Sequence, residues 1–199
     1  MSLGHVLTDL DAAGARLAAA GWVDIYNACF TAPPWSEPQQ AVGEYLDAKR
    51  AHFAQPGLRA VEARDANGSL VGVSYGWPSS EDLPAIPFYQ GLRAGLGPRA
   101  WNALWAAKPF EVVELMVHPA ARGRGLGRLL LDRLCGSAQI AFLATHPDAP
   151  AVAIYRHLGW RRFGQFQVDT QYSPNRITLD AYVLDRRGAA AAVDGLAVR

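Results

Sequence analysis

The residues best suited to chemistry lie between Val117 and Gly127, where the sequence reads Val-His-Pro-Ala-Ala-Arg-Gly-Arg-Gly-Leu-Gly. An apolar β-type run comes before this stretch and a helical pattern follows it, so the glycines open a helix. Backbone N–H groups at a helix start have no intrahelical partner, and the helix dipole adds positive potential there. The stretch therefore predicts a site for a phosphate-bearing ligand, contacted by Arg122, Gly123, Arg124, Gly125, Leu126, Gly127 and Arg128.

The glycine spacing excludes the two common phosphate loops. The dinucleotide fingerprint G-x-G-x-x-G needs a third glycine, but Arg128 stands there when the motif starts at Gly123, and Leu130 when it starts at Gly125. The P-loop G-x-x-x-x-G-K-[ST] needs a lysine, and no lysine is near. The ligand must therefore be recognised through a different motif.

Hydrophobic periodicity predicts the elements that position this stretch. Up to residue 109 it indicates helices over Thr8–Phe30 and Glu37–Phe53, β-type runs over 59–64 and 69–77, and a helix near 99–107. The two β-type runs flank Asp65–Gly68, where an Asn-Gly pair supplies the positive-φ residues that a hairpin turn needs. The rest of 78–109 is a long connection rich in Pro, Gly and aromatic residues.

Strands and helices alternate from residue 110 onwards. The pattern predicts a strand over Phe110–Val117, a helix over Gly125–Cys135, a strand over Ile140–Thr145, a helix over Ala149–Leu158, and strands over Trp160–Val168 and Ile177–Leu184. Gly159 is a typical C-terminal cap for the helix before it. We predict a single α/β domain over residues 1–188 and a poorly ordered tail over 189–199.

Two motifs resemble those of one family. Arg122-x-x-Gly125-x-Gly127, preceded by Val-His-Pro, resembles the pyrophosphate-binding motif of the GNAT superfamily of N-acetyltransferases. One strand later, that superfamily has an alanine and a tyrosine on a helix that ends Leu-Gly-aromatic, and here Ala151 and Tyr155 precede Leu-Gly-Trp at 158–160. The family often has an asparagine before the alanine, whereas this chain has only Asp148.

The resemblance implies a fold and a reaction. The fold is a mixed, mostly antiparallel central sheet flanked by helices, with splayed central strands. The reaction is transfer of an acetyl group from acetyl-CoA, the co-substrate, to a primary amine by direct attack in a ternary complex. By the same resemblance, the backbone N–H of Met116 or Val117 contacts the thioester and stabilises charge on its oxygen. Tyr155 is then the acid that protonates the leaving thiolate.

Glu111 and Glu114 stand in the otherwise apolar strand before the turn. Three residues apart, they face opposite sides of a regular strand, although family members commonly have a β-bulge here that would realign the faces. Either glutamate is a candidate for the general base or for a contact to a cationic acceptor. The sequence does not choose between them.

The acceptor side is predicted from the resemblance and from aromatic content. In this superfamily, the N-terminal helices and the segment before the motif strand hold the acceptor. We therefore assign Trp35, Glu37 and Trp77 to acceptor binding. Aminoglycoside-like compounds, polyamines, amino acids and protein N-termini all stay open, so the acceptor is a small-molecule or peptide amine.

Composition and charge exclude other classes of function. The 199 residues carry a net charge of +1, with 50% hydrophobic and 19% charged residues, so no nucleic-acid or membrane partner is indicated. No run approaches the roughly 18 apolar residues of a membrane span, and no early segment resembles a signal peptide. We expect a cytoplasmic protein with no metal, since the histidines lack partners at ligand spacing, and we leave open whether it forms a homodimer.

Two alternatives to an acetyltransferase stay open. One is a non-catalytic acyl-CoA-binding or regulatory domain that has the turn without the activity. The other is a transferase that uses a longer acyl donor or a hydroxyl acceptor. Tyr155 argues against the first alternative, because a domain that only binds acyl-CoA has no need of an acid there.

Overall fold

The computed structural model describes residues 4–80, 82–136 and 138–187, so the predicted tail over 189–199 lies outside the described residues. In chain order the elements are β1 (Val6–Asp11), α1 (Ala12–Ala18), α2 (Val23–Phe30), α3 (Gln39–Gly43), α4 (Tyr45–Lys49), β2 (Arg59–Arg64), β3 (Leu70–Pro78), α5 (Pro87–Ala106), β4 (Phe110–Val117), α6 (Leu126–Cys135), β5 (Ile140–Thr145), α7 (Ala151–His157), β6 (Arg161–Thr170) and β7 (Ser173–Asp185). Short 3-10 turns cover Ala19–Trp22, His52–Ala54 and Pro119–Ala121.

The described residues form two compact units. Unit 1 takes residues 4–77 and 112–136, and unit 2 takes 78–80, 82–111 and 138–187. Strand β4 contributes to both units, because its first two residues, Phe110 and Glu111, belong to unit 2 and the rest belongs to unit 1. Each unit is described by itself below.

The sheet of unit 1 runs in the order β1-β2-β3-β4, and its first two pairings are antiparallel. Aromatic side chains fill the core beside this sheet: Trp22 stacks on Tyr75 with ring centroids 5.9 Å apart and meets Phe53 edge-on. Helix α6 lies close to β3, because a Cβ on Gly72 would stand 2.8 Å from Leu130 Cδ1. This packing fixes the start of α6 relative to the end of β4.

The strands of unit 2 run in the order β4-β5-β7-β6. Residues Phe110 and Glu111 of β4 pair in parallel with Ala141 and Phe142 of β5, whereas β5–β7 and β6–β7 are antiparallel. Helix α5 packs against β6 and kinks at Gly97, whose φ is 72° and ψ 168°. The predicted fold class is therefore confirmed: the sheet strands are mostly antiparallel and helices flank them.

The structure confirms the predicted strands Phe110–Val117 and Ile140–Thr145 and corrects three predictions in the first half of the chain. Residues Val6–Asp11 form strand β1 and not the start of a helix. Their apolar residues, Val6, Leu7 and Leu10, are spaced as on a helix, but pairing with the distant strand β2 decides the conformation. Helix α1 begins after this strand, where the Asp11 side chain caps it by accepting from the Gly14 N–H at 2.8 Å.

The second and third predicted helices also differ from the structure. The segment predicted as one helix over Glu37–Phe53 is divided into α3, α4 and a 3-10 turn, with Glu44 at the break (φ −91°, ψ 1°). Helix α5 begins at Pro87, well before the predicted helix near 99–107. The glycines of its first half lower helix propensity, and these glycines are needed for close packing on β6.

The hairpin between β2 and β3 has the predicted position but a different turn. Gly68 has a φ of 80°, whereas Asn67 has a negative φ, so the expectation that both residues adopt positive φ is wrong. Instead, the Asp65 side chain accepts hydrogen bonds from the N–H groups of Asn67 and Ser69, each at 2.9 Å, and these bonds stabilise the turn.

None of the helices in the described ranges combines the length and the apolar character that crossing a bilayer requires.

Candidate active site

The backbone of the turn between β4 and α6 explains two of its glycines. Gly123 and Gly125 have φ angles of 76° and 77°, a region that residues with a Cβ rarely adopt. A Cβ built on either glycine would have no atom within 4 Å. The conformation of the backbone, and not a lack of space, therefore requires glycine at these two positions. The open space leaves this backbone accessible to a ligand.

The first helical turn of α6 presents backbone N–H groups that have no partner within the helix. The Leu129 N–H donates to the Gly125 carbonyl at 3.1 Å. The N–H groups of Leu126, Gly127 and Arg128 therefore precede the hydrogen-bond ladder and have no partner within the helix. Gly125 is the N-cap and has no side chain that could satisfy them. Such a helix start favours an anion through its donors and its dipole.

The three arginines of the turn are exposed and differ in their partners. Arg122 turns back along β4, where its Nε donates to the Val117 carbonyl at 3.0 Å and its Nη2 lies 3.7 Å from Cys29 Sγ. Arg128 pairs with Asp132 at 3.3 Å on the helix surface. In the part of the chain that the structure describes, Arg124 forms no ion pair. Among the described residues, the charges of Arg122 and Arg124 are thus not offset by an ion pair, whereas that of Arg128 is offset by Asp132.

The end of β4 leads directly into this turn. The Met116 side chain is fully buried in the core of unit 1, whereas Val117 is half-buried. The Val117 carbonyl accepts from Arg122 and from the Cys29 thiol, the latter at 3.4 Å. Burial raises the pKa of Cys29, so this thiol is held in its protonated, donating form.

Glu111 is buried in unit 2, and one of its carboxyl oxygens accepts hydrogen bonds from two hydroxyl groups. The Tyr89 hydroxyl donates to Oε2 at 2.8 Å, and the Ser79 hydroxyl donates to the same atom at 3.3 Å. Burial raises the pKa of Glu111 to about 7, and the two hydrogen bonds oppose that rise. The carboxyl group therefore changes its charge close to neutral pH, as a general base should.

Glu114 lies in unit 1 and has an entirely different set of partners. Lys49 Nζ stands 2.5 Å from Oε1, and the Tyr45 hydroxyl donates to Oε2 at 3.3 Å. The backbone carbonyl of Glu114 accepts from the Ser74 hydroxyl at 2.8 Å. The two glutamates thus have separate surroundings, as the alternation of a regular strand predicts.

A polar and aromatic group around Glu114 was not predicted from the sequence. Lys49 Nζ lies 5.9 Å and 5.8 Å from the ring centroids of Tyr26 and Tyr45, within range of cation–π attraction. The Tyr75 hydroxyl lies 2.9 Å from His52 Nδ1, and burial lowers the pKa of His52 to about 3, so the imidazole is neutral. The spacing of Tyr45, Lys49 and His52 could have revealed this group, because residues four and seven apart share a helix face.

The three predicted acceptor-binding residues lie in unit 1, close to the same group. The Tyr26 hydroxyl donates to Glu37, and burial raises the pKa of Glu37. Trp35 reaches Tyr26 indirectly, since its ring is 5.4 Å from the Phe30 ring, which is 4.7 Å from the Tyr26 ring. Trp77 is buried and its ring lies 5.1 Å from the His52 ring.

Tyr155 is a buried residue of α7 in unit 2. Its ring lies 5.9 Å from the rings of both Trp160 and Tyr182. Gly159 ends the helix with a φ of 83°, which confirms the predicted cap. The aromatic contacts hold the tyrosine ring in one place, and this suits a group that must deliver a proton at a fixed point.

Within the described ranges, no group of three or more His, Cys, Asp or Glu side chains is placed to hold a metal ion.

Comparison with known proteins gives a consistent result. The family described as acetyltransferase (GNAT) domain matches residues 95–162. A GCN5-like protein acetyltransferase of Mycobacterium tuberculosis is 33% identical over 146 residues, which cover 65% of this chain and 69% of that protein. The N-alpha-acetyltransferase RimI of the same organism is 37% identical over 84 residues, which cover 38% of this chain and 53% of that protein.

A solved structure of an acetyltransferase has a similar fold. The structure of yncA from Salmonella typhimurium, solved with its cofactor acetyl-CoA, aligns with 96% of this chain and 98% of its own, at 20% identity and a TM-score of 0.54. At this level of identity the alignment supports the fold alone.

Proposed function

Since the chain belongs to the GNAT family of acetyltransferases, we propose that it transfers the acetyl group of acetyl-CoA to a primary amine of a small-molecule or peptide acceptor. The amine attacks the thioester directly in a ternary complex. The C–S bond of the thioester breaks as the amide bond forms, the amine loses a proton and the CoA thiolate gains one. The residues of this chain hold the co-substrate, receive the first proton and supply the second.

The observation that carries this proposal is the turn before α6. Its exposed arginines, its accessible backbone at Gly123 and Gly125, and the unpaired N–H groups of α6 form a cationic surface with fixed donors. These groups suit the pyrophosphate of acetyl-CoA, which supplies the acetyl group as a thioester. Arg122 would bind it through Nη1, because its Nε donates to the Val117 carbonyl and its Nη2 to Cys29 Sγ.

The base is Glu111 and not Glu114. A base works best when its pKa is close to the operating pH, and burial raises the pKa of Glu111 to about 7. Glu114 is already paired with the Lys49 ammonium at 2.5 Å, and this pair would have to break before the carboxylate could accept a proton from a substrate. Glu114 therefore organises the acceptor side of unit 1.

Two further groups complete the reaction. The Tyr155 hydroxyl protonates the CoA thiolate as it leaves, in line with its place in the second motif. The backbone N–H of Met116 or Val117 donates to the acyl oxygen, where negative charge develops. Both assignments follow from position in the family motifs.

The acceptor would enter beside the N-terminal helices of unit 1. Trp35 and Trp77 offer apolar walls, and Glu37 offers a half-buried carboxylate to an ammonium group. The two mycobacterial relatives are named for acetylation of proteins and of α-amines, so peptide amines belong in the first panel of acceptors, beside polyamines and aminoglycosides.

A thiol-release assay with acetyl-CoA against that panel tests the proposed reaction.

Calorimetry with acetyl-CoA tests whether the turn before α6 binds the co-substrate, through the variants Arg122→Glu and Gly125→Asp. We expect both variants to weaken binding at least about tenfold, because each places a negative charge where the phosphates bind. Arg16→Glu is the matched control, since Arg16 is an exposed arginine of α1 without an ion pair among the described residues.

The outcomes separate the proposal from its alternatives. Unchanged affinity in the Arg122 and Gly125 variants would remove the turn from the binding site. Tight binding of acetyl-CoA without turnover on any amine would instead favour the acyl-CoA-binding domain. Turnover only with a longer acyl-CoA would correct the donor and leave the reaction type in place.

A further inference from the structure

The hydroxyl of Tyr182 differs from those of four other buried tyrosines. The hydroxyls of Tyr26, Tyr45 and Tyr89 donate to carboxylates, and that of Tyr75 meets His52. Tyr182 is 0% exposed, and its hydroxyl has no hydrogen-bond partner among the residues that the structure describes. A buried donor without a partner costs free energy, whereas phenylalanine would fill the same space without that cost.

Tyr182 occupies a central position in unit 2. It lies on β7, where it stands opposite Leu143 of β5 on one side and Arg162 of β6 on the other. Its ring is 5.9 Å from the ring of Tyr155, the residue proposed as the acid. An unpaired donor is therefore buried next to the residue that is proposed to act on the sulfur of the co-substrate.

We propose that the Tyr182 hydroxyl is a binding group for the acyl-pantetheine half of acetyl-CoA, to which it donates a hydrogen bond beside Tyr155. The inference rests on the proposed function, and it adds a residue of β7 to the site. The acyl-pantetheine half carries a thioester carbonyl and two amide carbonyls, all of which accept hydrogen bonds. The nucleotide half has none of these carbonyls, so a probe made of that half alone tests a different part of the ligand.

The test is the variant Tyr182→Phe, measured by calorimetry with two probes. Acetyl-CoA contains both halves of the ligand, whereas adenosine 3′,5′-bisphosphate lacks the pantetheine. We expect Tyr182→Phe to bind acetyl-CoA about five- to tenfold more weakly, as the loss of one hydrogen bond to a buried partner predicts. Its affinity for the bisphosphate should equal that of the wild type.

A second readout uses stability without any ligand. Because the hydroxyl has no partner in the protein, urea denaturation of Tyr182→Phe should show stability equal to or above that of the wild type. Tyr75→Phe is the matched control, since the Tyr75 hydroxyl does have a partner, His52, and its removal should lower stability.

Several results would overturn the inference. Unchanged affinity for acetyl-CoA in Tyr182→Phe would show that the hydroxyl does not touch the ligand. Lower stability or failure to fold would show that it has a structural partner. Weaker binding of both probes would place the effect outside the pantetheine half. If the wild type binds neither probe, the proposed function itself is wrong, and this outcome is distinct from a defect confined to Tyr182→Phe.

Discussion

The buried position of Glu111 makes its carboxyl group difficult to ionise. Its carboxyl group is buried, and among the described residues it accepts hydrogen bonds from two neutral hydroxyls, those of Tyr89 and Ser79, which stabilise the negative charge less than a cation would. Glu114, by contrast, meets a full positive charge on Lys49. Two glutamates three residues apart on one strand therefore have different chemistry, and the difference comes from side chains that lie far away in the sequence.

The pH dependence of turnover should report the ionisation of Glu111. A protonated carboxyl group cannot accept a proton, so kcat/KM should rise as the pH increases through about 7, where Glu111 ionises. Tyr89→Phe removes a hydrogen bond that lowers the pKa of Glu111, and it should move this rise to higher pH. Steady-state rates measured on both sides of pH 7 for each protein check the expectation.

A matched variant tells the two glutamates apart. The Tyr45 hydroxyl donates to Glu114 and not to Glu111, so Tyr45→Phe should leave the midpoint of the profile where it is in the wild type. A midpoint that moves in Tyr45→Phe and stays fixed in Tyr89→Phe would make Glu114 the base.

The stability of the fold should depend on the same ionisation. The folded pKa of Glu111 is about 7 and the ordinary value is 4.5, so the folded protein binds more protons than the unfolded chain between these values. Stability therefore falls as the pH rises through this window. Glu111→Gln cannot ionise, and above pH 7 it should exceed the wild type by up to about 3 kcal/mol, the free energy of a shift of this size.

Urea denaturation at about pH 5 and about pH 8 measures the difference between the two proteins, which should be larger at the higher pH. Glu114→Gln is the contrasting control, because it leaves the ammonium of Lys49 without its carboxylate and should lower stability. If the difference in stability between Glu111→Gln and the wild type is the same at both pH values, the pKa of Glu111 is not raised.

At the scale of elements, α5 approaches β6 through glycines. A Cβ on Gly91 would stand 2.2 Å from the backbone oxygen of Gln167, and one on Gly95 would stand 2.5 Å from Phe166 Cβ. Backbone cannot move aside as a flexible side chain can. Gly91→Ala and Gly95→Ala should therefore each destabilise the protein by about 1–3 kcal/mol, the usual cost of overpacking.

The control for these glycine variants is Gly43→Ala. Gly43 lies in α3 with no atom within 4 Å of an added Cβ, so alanine should be neutral or stabilise by up to about 1 kcal/mol. Denaturation with urea gives the three free energies of unfolding. A loss no larger in Gly91→Ala and Gly95→Ala than in Gly43→Ala would mean that α5 does not approach β6 this closely.

The sequence predicted poorly those elements and contacts that depend on residues distant in the chain. Local patterns sufficed for β4 and β5, whose apolar runs are bounded by proline or polar residues, and for the start of α6 directly after Gly125. They failed for β1 and the first half of α5, which depend on pairing with β2 and packing on β6. Tyr89 and Ser79 were missed for the same reason, since they meet Glu111 across 22 and 32 residues of chain.

At the scale of the whole molecule, the chain passes repeatedly between the two units. It leaves unit 1 after Trp77, returns within β4 after Glu111, and leaves again after Gly136. Neither unit is therefore a continuous segment, and no single cut separates them. A chain of this kind suits the prediction of one domain over residues 1–188, in which both units fold together.

Calorimetry can test that prediction together with binding of the co-substrate. If the units unfold together, the melting curve has one transition whose calorimetric and van't Hoff enthalpies agree. Acetyl-CoA at 100 times its Kd stabilises the folded state by about 2.7 kcal/mol, which for a chain of this length raises the Tm by about 5–10 °C.

The single transition should move as a whole when acetyl-CoA is added, because a ligand stabilises everything that unfolds cooperatively with its site. Arg122→Glu should show the same transition without ligand and a much smaller shift with it, since Arg122 is exposed and its loss affects the binding surface more than the core. Two resolved transitions, with only one responding to acetyl-CoA, would instead mean that the units are separate domains. The responding transition would then be assigned by repeating the scan with Gly91→Ala, which should lower the Tm of unit 2 alone.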